Sequence, residues 1–346
     1  MFVMGIESSC DETAVSIVER GDKNRVICEK IKSQIPLHKK YGGIVPEIAS
    51  RSHYEAISLL TNQALKEANL DIKEIGLIAL TQGPGLIGSL IVGLSFAKAL
   101  AYSHNIPLVM VDHISAHIES PFITNHNIKY PLISLIVSGG HTSVFYQKSK
   151  FESTLLSKTR DDAVGEVMDK VAKFFGLNYP GGPIIDKNYK KGNPKSFSFT
   201  IPRMSDGSND FSFSGYKTAT INFAKKNKIE PNSKEFYDLC SSFLESVVTY
   251  LLKKVKKFVK ENEVSSLVIA GGVSRNSRLR EAFINEFENS KLDLFLPMPE
   301  YCTDNGSMVA WLGYEKYINF PDTNYFDYSA NVYSRASFRL NNGKHR

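Results

Sequence analysis

The chain begins with two short apolar strands, residues 2–6 and 13–18, joined by a small polar turn, and far downstream the pattern returns. In the second copy, residues 132–137 and 143–147 flank Ser138-Gly139-Gly140-His141-Thr142. One such hairpin is commonplace. Two of them, each followed by alternating helical and strand patterns, predict a duplicated α/β unit in which a small turn caps the first strand of each copy. Residues 25–33 read as a further strand, and after Pro46 the positions Ile48, Ile57, Leu60, Ala64, Leu65 and Ala68 recur at helical spacing. A buried strand at 75–80, a glycine-rich loop at 81–88, a helix to about 104 and a strand at 107–111 complete the first copy. The second continues with helices at 162–175 and 235–262 and a strand at 266–270. A third small turn, Gly271-Gly272-Val273-Ser274-Arg275-Asn276, follows and opens another helix, and the last helix starts near Thr303. Residues 179–213, rich in Gly, Pro, Ser and Lys, read as long loops over a cleft.

A chain of 346 residues is long enough for two such lobes. Its hydrophobic content of 42% and charged content of 23% are those of an ordinary globular protein. The net charge of +6 permits a polyanionic partner such as RNA without requiring one. Cys10, Cys28, Cys240 and Cys302 are scattered and unpaired in spacing, which fits reduced thiols in the cytoplasm better than a disulfide framework. Neither a basic leader with a long apolar stretch nor a run of membrane-spanning length is present in the sequence.

Chemistry is concentrated in a few places. His113 and His117 stand four apart just after a strand and its terminal Asp112, so on a helix both imidazoles lie on one face and can reach one transition metal. The zincin pattern HExxH is absent, as is a GxSxG elbow, and with them the usual hydrolytic arrangements. Gly83-Pro84-Gly85-Leu86-Ile87-Gly88 matches the dinucleotide fingerprint, but Pro84 has no N–H to offer a pyrophosphate, so the glycines read as close-packing positions. The three small turns carry more weight. Backbone N–H groups in Gly/Ser turns and at helix N-termini suit phosphates, and three of them in one α/β chain point to a nucleotide held between two lobes. Asp11 and Glu12 in the first turn are placed to orient a reacting group. The lysines at 253, 254, 256, 257 and 260 read as a solvated helix face, and Lys190, Lys191 and Lys195 as better candidates for RNA.

Longer stretches are more specific. They include Glu7-Ser8-Ser9-Cys10-Asp11-Glu12-Thr13, Gly42-Gly43-Ile44-Val45-Pro46-Glu47, Gly83-Pro84-Gly85-Leu86, and Asp112-His113 through His117-Ile118-Glu119. Val137 to Thr142, Asp161-Asp162-Ala163, Gly165-Glu166, Asp169-Lys170 and Tyr179-Pro180-Gly181-Gly182-Pro183 continue the series. Asp210 to Gly215, Lys217-Thr218, the turn at Gly271 to Asn276, and Cys302-Thr303-Asp304-Asn305-Gly306 close it. In this order, and across nearly the whole chain, they resemble the TsaD family of bacterial and mitochondrial-type tRNA N6-adenosine threonylcarbamoyltransferases. Tyr216, where many members carry leucine, and the divergent tail around Tyr333-Ser334-Arg335-Ala336 depart from the pattern.

The resemblance implies a two-lobed actin-like ATPase fold, a duplicated ribonuclease-H-like architecture with a nucleotide cleft between lobes. The expected lobes are residues 1–118, with 310–346 packing back on them, and 119–309. It implies Asp304 as a third metal ligand beside His113 and His117, for iron(II) or zinc(II). It also implies an adenylate site lined by Ile136, Val137, Ser138, Gly139, Gly140, Asp169, Gly182, Asp186 and Asn276. The implied reaction moves a threonylcarbamoyl group from threonylcarbamoyl-AMP to N6 of adenosine 37 in tRNAs reading codons that begin with A, with release of AMP. Asp11 is then the candidate for assisting proton removal. Expected partners are tRNA, the paralogous subunit TsaB and the ATPase TsaE, with ATP a second occupant of the nucleotide site. The competing readings are a metalloendopeptidase, a non-catalytic nucleotide-binding subunit, and a small-molecule kinase on the same fold.

Overall fold

Strand β1 (Phe2–Glu7) is apolar on both faces because both are covered. It pairs antiparallel with β2 (Glu12–Glu19), and β2 antiparallel with β3 (Arg25–Ser33). On its other edge β1 pairs in parallel with β4 (Ile75–Gly83), and β4 in parallel with β5 (Leu108–Asp112), giving the order β3-β2-β1-β4-β5. Parallel neighbours need crossovers. Helices α1 (Ile35–His38) and α2 (Pro46–Ala68) precede β4, and α3 (Ile87–His104) precedes β5. Pro46 opens α2 at a position that needs no N–H, and Asn69 and Asn105 end α2 and α3 in the left-handed conformation. Met4, Ile6, Ile78 and Leu80 pack against Ile57 and Leu60 of α2 and Leu94 and Ala97 of α3. On the opposite face Val3, Leu77, Ala79 and Val109 pack against Met308 to Leu312 of α10 (Gly306–Asn319). A short helix, α4 (His113–Glu119), follows β5 directly.

The second sheet repeats the first. Strand β6 (Leu132–Val137) pairs antiparallel with β7 (Thr142–Ser149), and β7 with β8 (Glu152–Lys158). In parallel, β6 pairs with β9 (Ser266–Ala270), and β9 with β10 (Asp293–Phe295). The order β10-β9-β6-β7-β8 is that of the first sheet read from the other edge. The repeated hairpin therefore marks a repeated sheet. Between and after its strands lie α5 (Val164–Phe174), α6 (Gly181–Tyr189), α7 (Ser214–Lys226), α8 (Lys234–Glu261) and α9 (Ser277–Phe287). Their apolar faces and Ile133, Leu135 and Val137 of β6 build one core.

This computed structural model describes residues 1–200 and 204–334. They fall into two units, Met1–His126 with a return segment beginning at Pro297, and Asn127–Leu296. The expected divisions were at 118/119 and 309/310. Residues 119–126 stay with the first unit because Ile123 packs in its core, and the segment before 310 does so because Met308 and Val309 pack there. Of the tail expected to pack on the first unit, Tyr328 and Val332 pack against the α2/α3 face of the sheet, whereas residues 335–346, including Arg335 and Ala336, lie outside the described residues. Residues 179–213 are not loops throughout, since α6 runs within them. Strands β8 and β10 and helix α7 lie where the sequence pattern predicts no element.

Helix α10 lies close on the first sheet because small residues face each other. A Cβ added to Gly5 would sit 2.0 Å from the Gly306 carbonyl oxygen and 2.7 Å from the Ala310 nitrogen. Neither obstacle is a side chain that can swing away. Gly5→Ala is therefore expected to destabilise the first unit by roughly 3–5 kcal/mol, above ordinary overpacking. Urea unfolding monitored at Trp311, which is buried in α10, will report it; a midpoint equal to wild type would contradict the close approach.

Candidate functional site

Asp112 ends β5 and starts the helix that carries both histidines. Its carboxylate accepts the Ser115 amide at 2.7 Å and the Ser115 hydroxyl at 2.9 Å, an N-cap that fixes where α4 begins. It also accepts the Tyr333 hydroxyl at 2.6 Å, tying the return segment to that helix start. Asp112 is thus a cap and not the ribose-binding acid of a dinucleotide site. The glycine-rich loop agrees: a Cβ at Gly85 would lie 2.5 Å from the Ser9 carbonyl oxygen, and one at Gly83 would lie 2.1 Å from that of Tyr333. These glycines admit protein backbone.

The i, i+4 spacing does what it predicts. The two imidazoles lie edge to face, with ring centroids 4.7 Å apart. Both are buried, His113 at 5% exposure and His117 at 1%. Asp304, two residues before α10, comes to meet them: its Oδ1 is 3.1 Å from His117 Nε2 and 3.7 Å from His113 Nε2. One ligand atom from each of the three lies within 4.8 Å of the others. Ligands about 2.1 Å from one ion at tetrahedral angles are about 3.4 Å apart, so these separations bracket what a shared ion requires. Two imidazoles and a carboxylate suit iron(II) or zinc(II), and the donor set leaves coordination positions open.

Buried carboxylates support this cluster. Glu7, at the end of β1, accepts the Ser9 amide at 2.5 Å and the Thr81 hydroxyl at 2.6 Å, and faces His113 Nδ1 at 3.0 Å. Burial opposes its ionisation, but the neighbouring His113 charge and hydrogen bond hold its pKa below the ordinary value. For His113 burial likewise opposes the charge, and Asp304 with Glu7 outweighs it, pushing the pKa up to about 9. Glu29 on β3 accepts the Gly306 and Ser307 amides at 2.9 Å each, so it fixes the start of α10 directly after Asp304. Burial pushes its pKa up.

The first turn, which carries Asp11 and Glu12, is held by His53 on α2. His53 Nε2 donates to the Cys10 carbonyl at 3.0 Å, so its Nδ1 accepts the Thr13 hydroxyl at 2.7 Å. Burial lowers its pKa, which keeps this neutral form in place. His53 gave no pairing in the sequence; its partners are 40 and 43 residues away. Glu12 is pushed up to about 8, by burial first and then by the charges of Asp304, Asp11 and Glu7.

In the second unit the predicted adenylate residues form a chain of helix caps. Asp169 on α5 accepts the Gly181 amide at 2.6 Å at the start of α6. Asp186 on α6 accepts the Ser277 amide at 2.9 Å and its hydroxyl at 2.8 Å at the start of α9. Asn276 caps α9 through Leu279, while its Nδ2 is buried without a hydrogen-bond partner. Burial raises the Asp169 pKa to about 6 against the Gly181 and Gly182 amide bonds. Ser138 closes its turn by donating its amide to the His141 carbonyl at 2.8 Å, and a Cβ at Gly139 or Gly140 would meet nothing within 4 Å. Ile136 and Val137 are fully buried, so only their backbone can face a ligand. An orphaned donor at the start of α9 and an open glycine turn after β6 are each suited to a nucleotide phosphate or ribose.

Other expectations resolve simply. Cys10, Cys28, Cys240 and Cys302 are free thiols. The lysine run on α8 is partly engaged, Lys254 with the Asn209 and Asp210 carbonyls and Lys256 with Glu286. Among the described residues no helix is long and apolar enough to cross a membrane.

Comparison with known proteins agrees with this architecture. Residues 25–311 match the model of the family described as TsaD: tRNA N6-adenosine threonylcarbamoyltransferase. A tRNA N6-adenosine threonylcarbamoyltransferase of Caldicellulosiruptor saccharolyticus is 44% identical over 325 residues, covering 94% of this chain and 96% of its own. One of the same name from Syntrophus aciditrophicus is 46% identical over 314 residues, covering 90% and 91%. Among solved structures, the (R)-2-hydroxyglutaryl-CoA dehydratase component A of Acidaminococcus fermentans superposes with a TM-score of 0.54 at 13% identity. The match covers 91% of this chain and 98% of that one and carries the actin-like ATPase fold alone.

Proposed function

This chain belongs to the TsaD family of tRNA N6-adenosine threonylcarbamoyltransferases, and from that membership we propose how its residues divide the reaction. The enzyme transfers a threonylcarbamoyl group to N6 of an adenosine in tRNA. We assign the acceptor as adenosine 37 of tRNAs reading codons that begin with A, and the donor as threonylcarbamoyl-AMP. The observation that carries the assignment is the convergence of His113 Nε2, His117 Nε2 and Asp304 Oδ1 in a buried site. A bound metal, iron(II) in preference to zinc(II), would supply a Lewis-acidic hold on the threonyl end of the donor.

Residues of the second unit bind the adenylate. Gly139 and Gly140 of the Ser138 turn offer their N–H groups to the phosphate, and Asn276 Nδ2 offers its unpartnered donor. Asp169 and Asp186 keep the starts of α6 and α9 in register, Gly182 allows close approach at the first of these, and Ile136 and Val137 contribute backbone. In the transfer the N6 lone pair forms a bond to the carbamoyl carbon, the bond from that carbon to the phosphate oxygen breaks, and AMP leaves. The N6 proton passes to Asp11. The donor is already an activated anhydride, so positioning and stabilisation of developing charge dominate the barrier.

The rival readings have less behind them. An endopeptidase of the HExxH type needs a glutamate where this chain has Ile114. A non-catalytic subunit has no use for an assembled His-His-Asp cluster. Family membership supports TsaB and TsaE as partners and ATP as a second nucleotide. The deciding experiment supplies the protein with threonylcarbamoyl-AMP and unmodified tRNA, with and without those partners, and analyses nucleosides by mass spectrometry. Appearance of N6-threonylcarbamoyladenosine is expected; its absence in every combination would overturn the assignment.

A further inference from the structure

Glu7 is fully buried and collects donors from three separate segments: the first turn through the Ser9 amide, β4 through the Thr81 hydroxyl, and α4 through His113 Nδ1. We propose that Glu7 is a positioning residue: it fixes the tautomer and ring orientation of His113, so that the two histidines of the cluster are unequal metal donors. The inference rests on the reading of His113, His117 and Asp304 as a metal site.

The two nitrogens of each ring have different tasks. Both Nε2 atoms point toward Asp304 Oδ1, at 3.1 Å and 3.7 Å. An imidazole that lends its Nε2 lone pair to a metal carries its proton on Nδ1, and a buried N–H needs an acceptor. For His113 that acceptor is Glu7 Oε2 at 3.0 Å, nearer and more basic than the Ser9 hydroxyl oxygen, which lies 3.3 Å from the same nitrogen. A carboxylate there holds the ring against rotation and raises the basicity of the ligating nitrogen. His117 lacks such support, since its Nδ1 is buried without a hydrogen-bond partner. Glutamate is needed rather than glutamine because the Ser9 amide, the Thr81 hydroxyl and the His113 Nδ1–H all donate to it. A glutamine would have to turn its amide N–H toward one of the Ser9 amide, the Thr81 hydroxyl or the His113 Nδ1–H. A carboxylate whose task was to hold the first turn would need only Ser9. The reach to His113 is what that task leaves unexplained.

The test uses the full chain, stripped of metal and titrated with cobalt(II) against a competing chelator. Glu7→Gln is expected to bind cobalt about 10- to 100-fold more weakly, with a changed visible absorption spectrum, while its far-ultraviolet circular dichroism stays that of wild type. Glu7→Gln with wild-type affinity and spectrum would overturn the role of Glu7 while leaving the metal reading intact. Wild-type protein that takes up no cobalt would overturn the metal reading and this one together. A second measurement does not depend on the variant folding. In zinc-loaded wild type with 15N-labelled histidine, His113 and His117 are both expected to ligate through Nε2. The Nδ1 proton of His113 should resonate downfield of that of His117, as a hydrogen bond to a carboxylate requires. Ligation of His113 through Nδ1 would overturn the proposal.

Discussion

Replacing His117 by alanine is expected to abolish stoichiometric metal uptake and to lower threonylcarbamoyl transfer at least about 10³-fold, a loss of about 4 kcal/mol of transition-state stabilisation. His117 is the cleanest of the three positions to change. Its Nε2 faces Asp304, and its Nδ1 has no hydrogen-bond partner, so truncation breaks no other network. The cost to the fold is that of a side-chain-sized cavity, whereas Asp304 stands beside the start of α10, and altering it risks the helix. Metal per chain by elemental analysis and kcat/KM with threonylcarbamoyl-AMP should fall together. A His117→Ala protein that retains one equivalent of metal would remove this residue from the ligand set. The same treatment of His113 should lose metal too, with a larger cost in stability, because Glu7 would be left with one donor fewer in a buried site.

Asp11→Ala is expected to behave differently. Here kcat should fall about 10²- to 10⁴-fold, the usual contribution of a positioned general base, with metal content and donor binding retained. The turn should survive the change. The Asp11 carbonyl accepts the Gln34 amide at 2.9 Å, and His53 clamps Cys10 and Thr13 on either side, so the backbone is held without the carboxylate. Single-turnover transfer separates the two steps, since a proton acceptor acts on chemistry and leaves adenylate affinity alone. Near-normal kcat with normal donor binding would assign proton removal to another group. Asp11→Asn sharpens the comparison, because it keeps the side-chain volume and removes the basicity.

Much of this could be read from the chain, and what could not has physical causes. The paired hairpins announced two like sheets because turn residues and apolar strands are local signals. The His113 and His117 pairing was legible because helical spacing is local as well. Asp304 lies 187 residues from His117, and no periodicity links them; it came from the family resemblance. Helix α6 was hidden because it opens with Gly181-Gly182-Pro183, residues that also mark loops, yet Pro183 costs nothing in a first turn. Strand β10 is three residues long and sits at a sheet edge, too short for alternation to declare itself. Glu7 stands within a recognised motif, but its role depends on Thr81 and His113, 74 and 106 residues away. Glu29 carries no local mark. Its task appears once β3 is brought to the start of α10.

The first unit is discontinuous, and this orders events during synthesis. A ribosome completes β1 to β5 and both histidines early, then makes the whole second unit before Asp304 and α10 emerge. Until they do, Val3, Leu77 and Ala79 lack the helix that covers them, and the two imidazoles lack their carboxylate. The nascent first unit therefore carries an uncovered apolar sheet face until α10 is made. The full His-His-Asp set exists only once residue 304 has been made and the returning helix has docked.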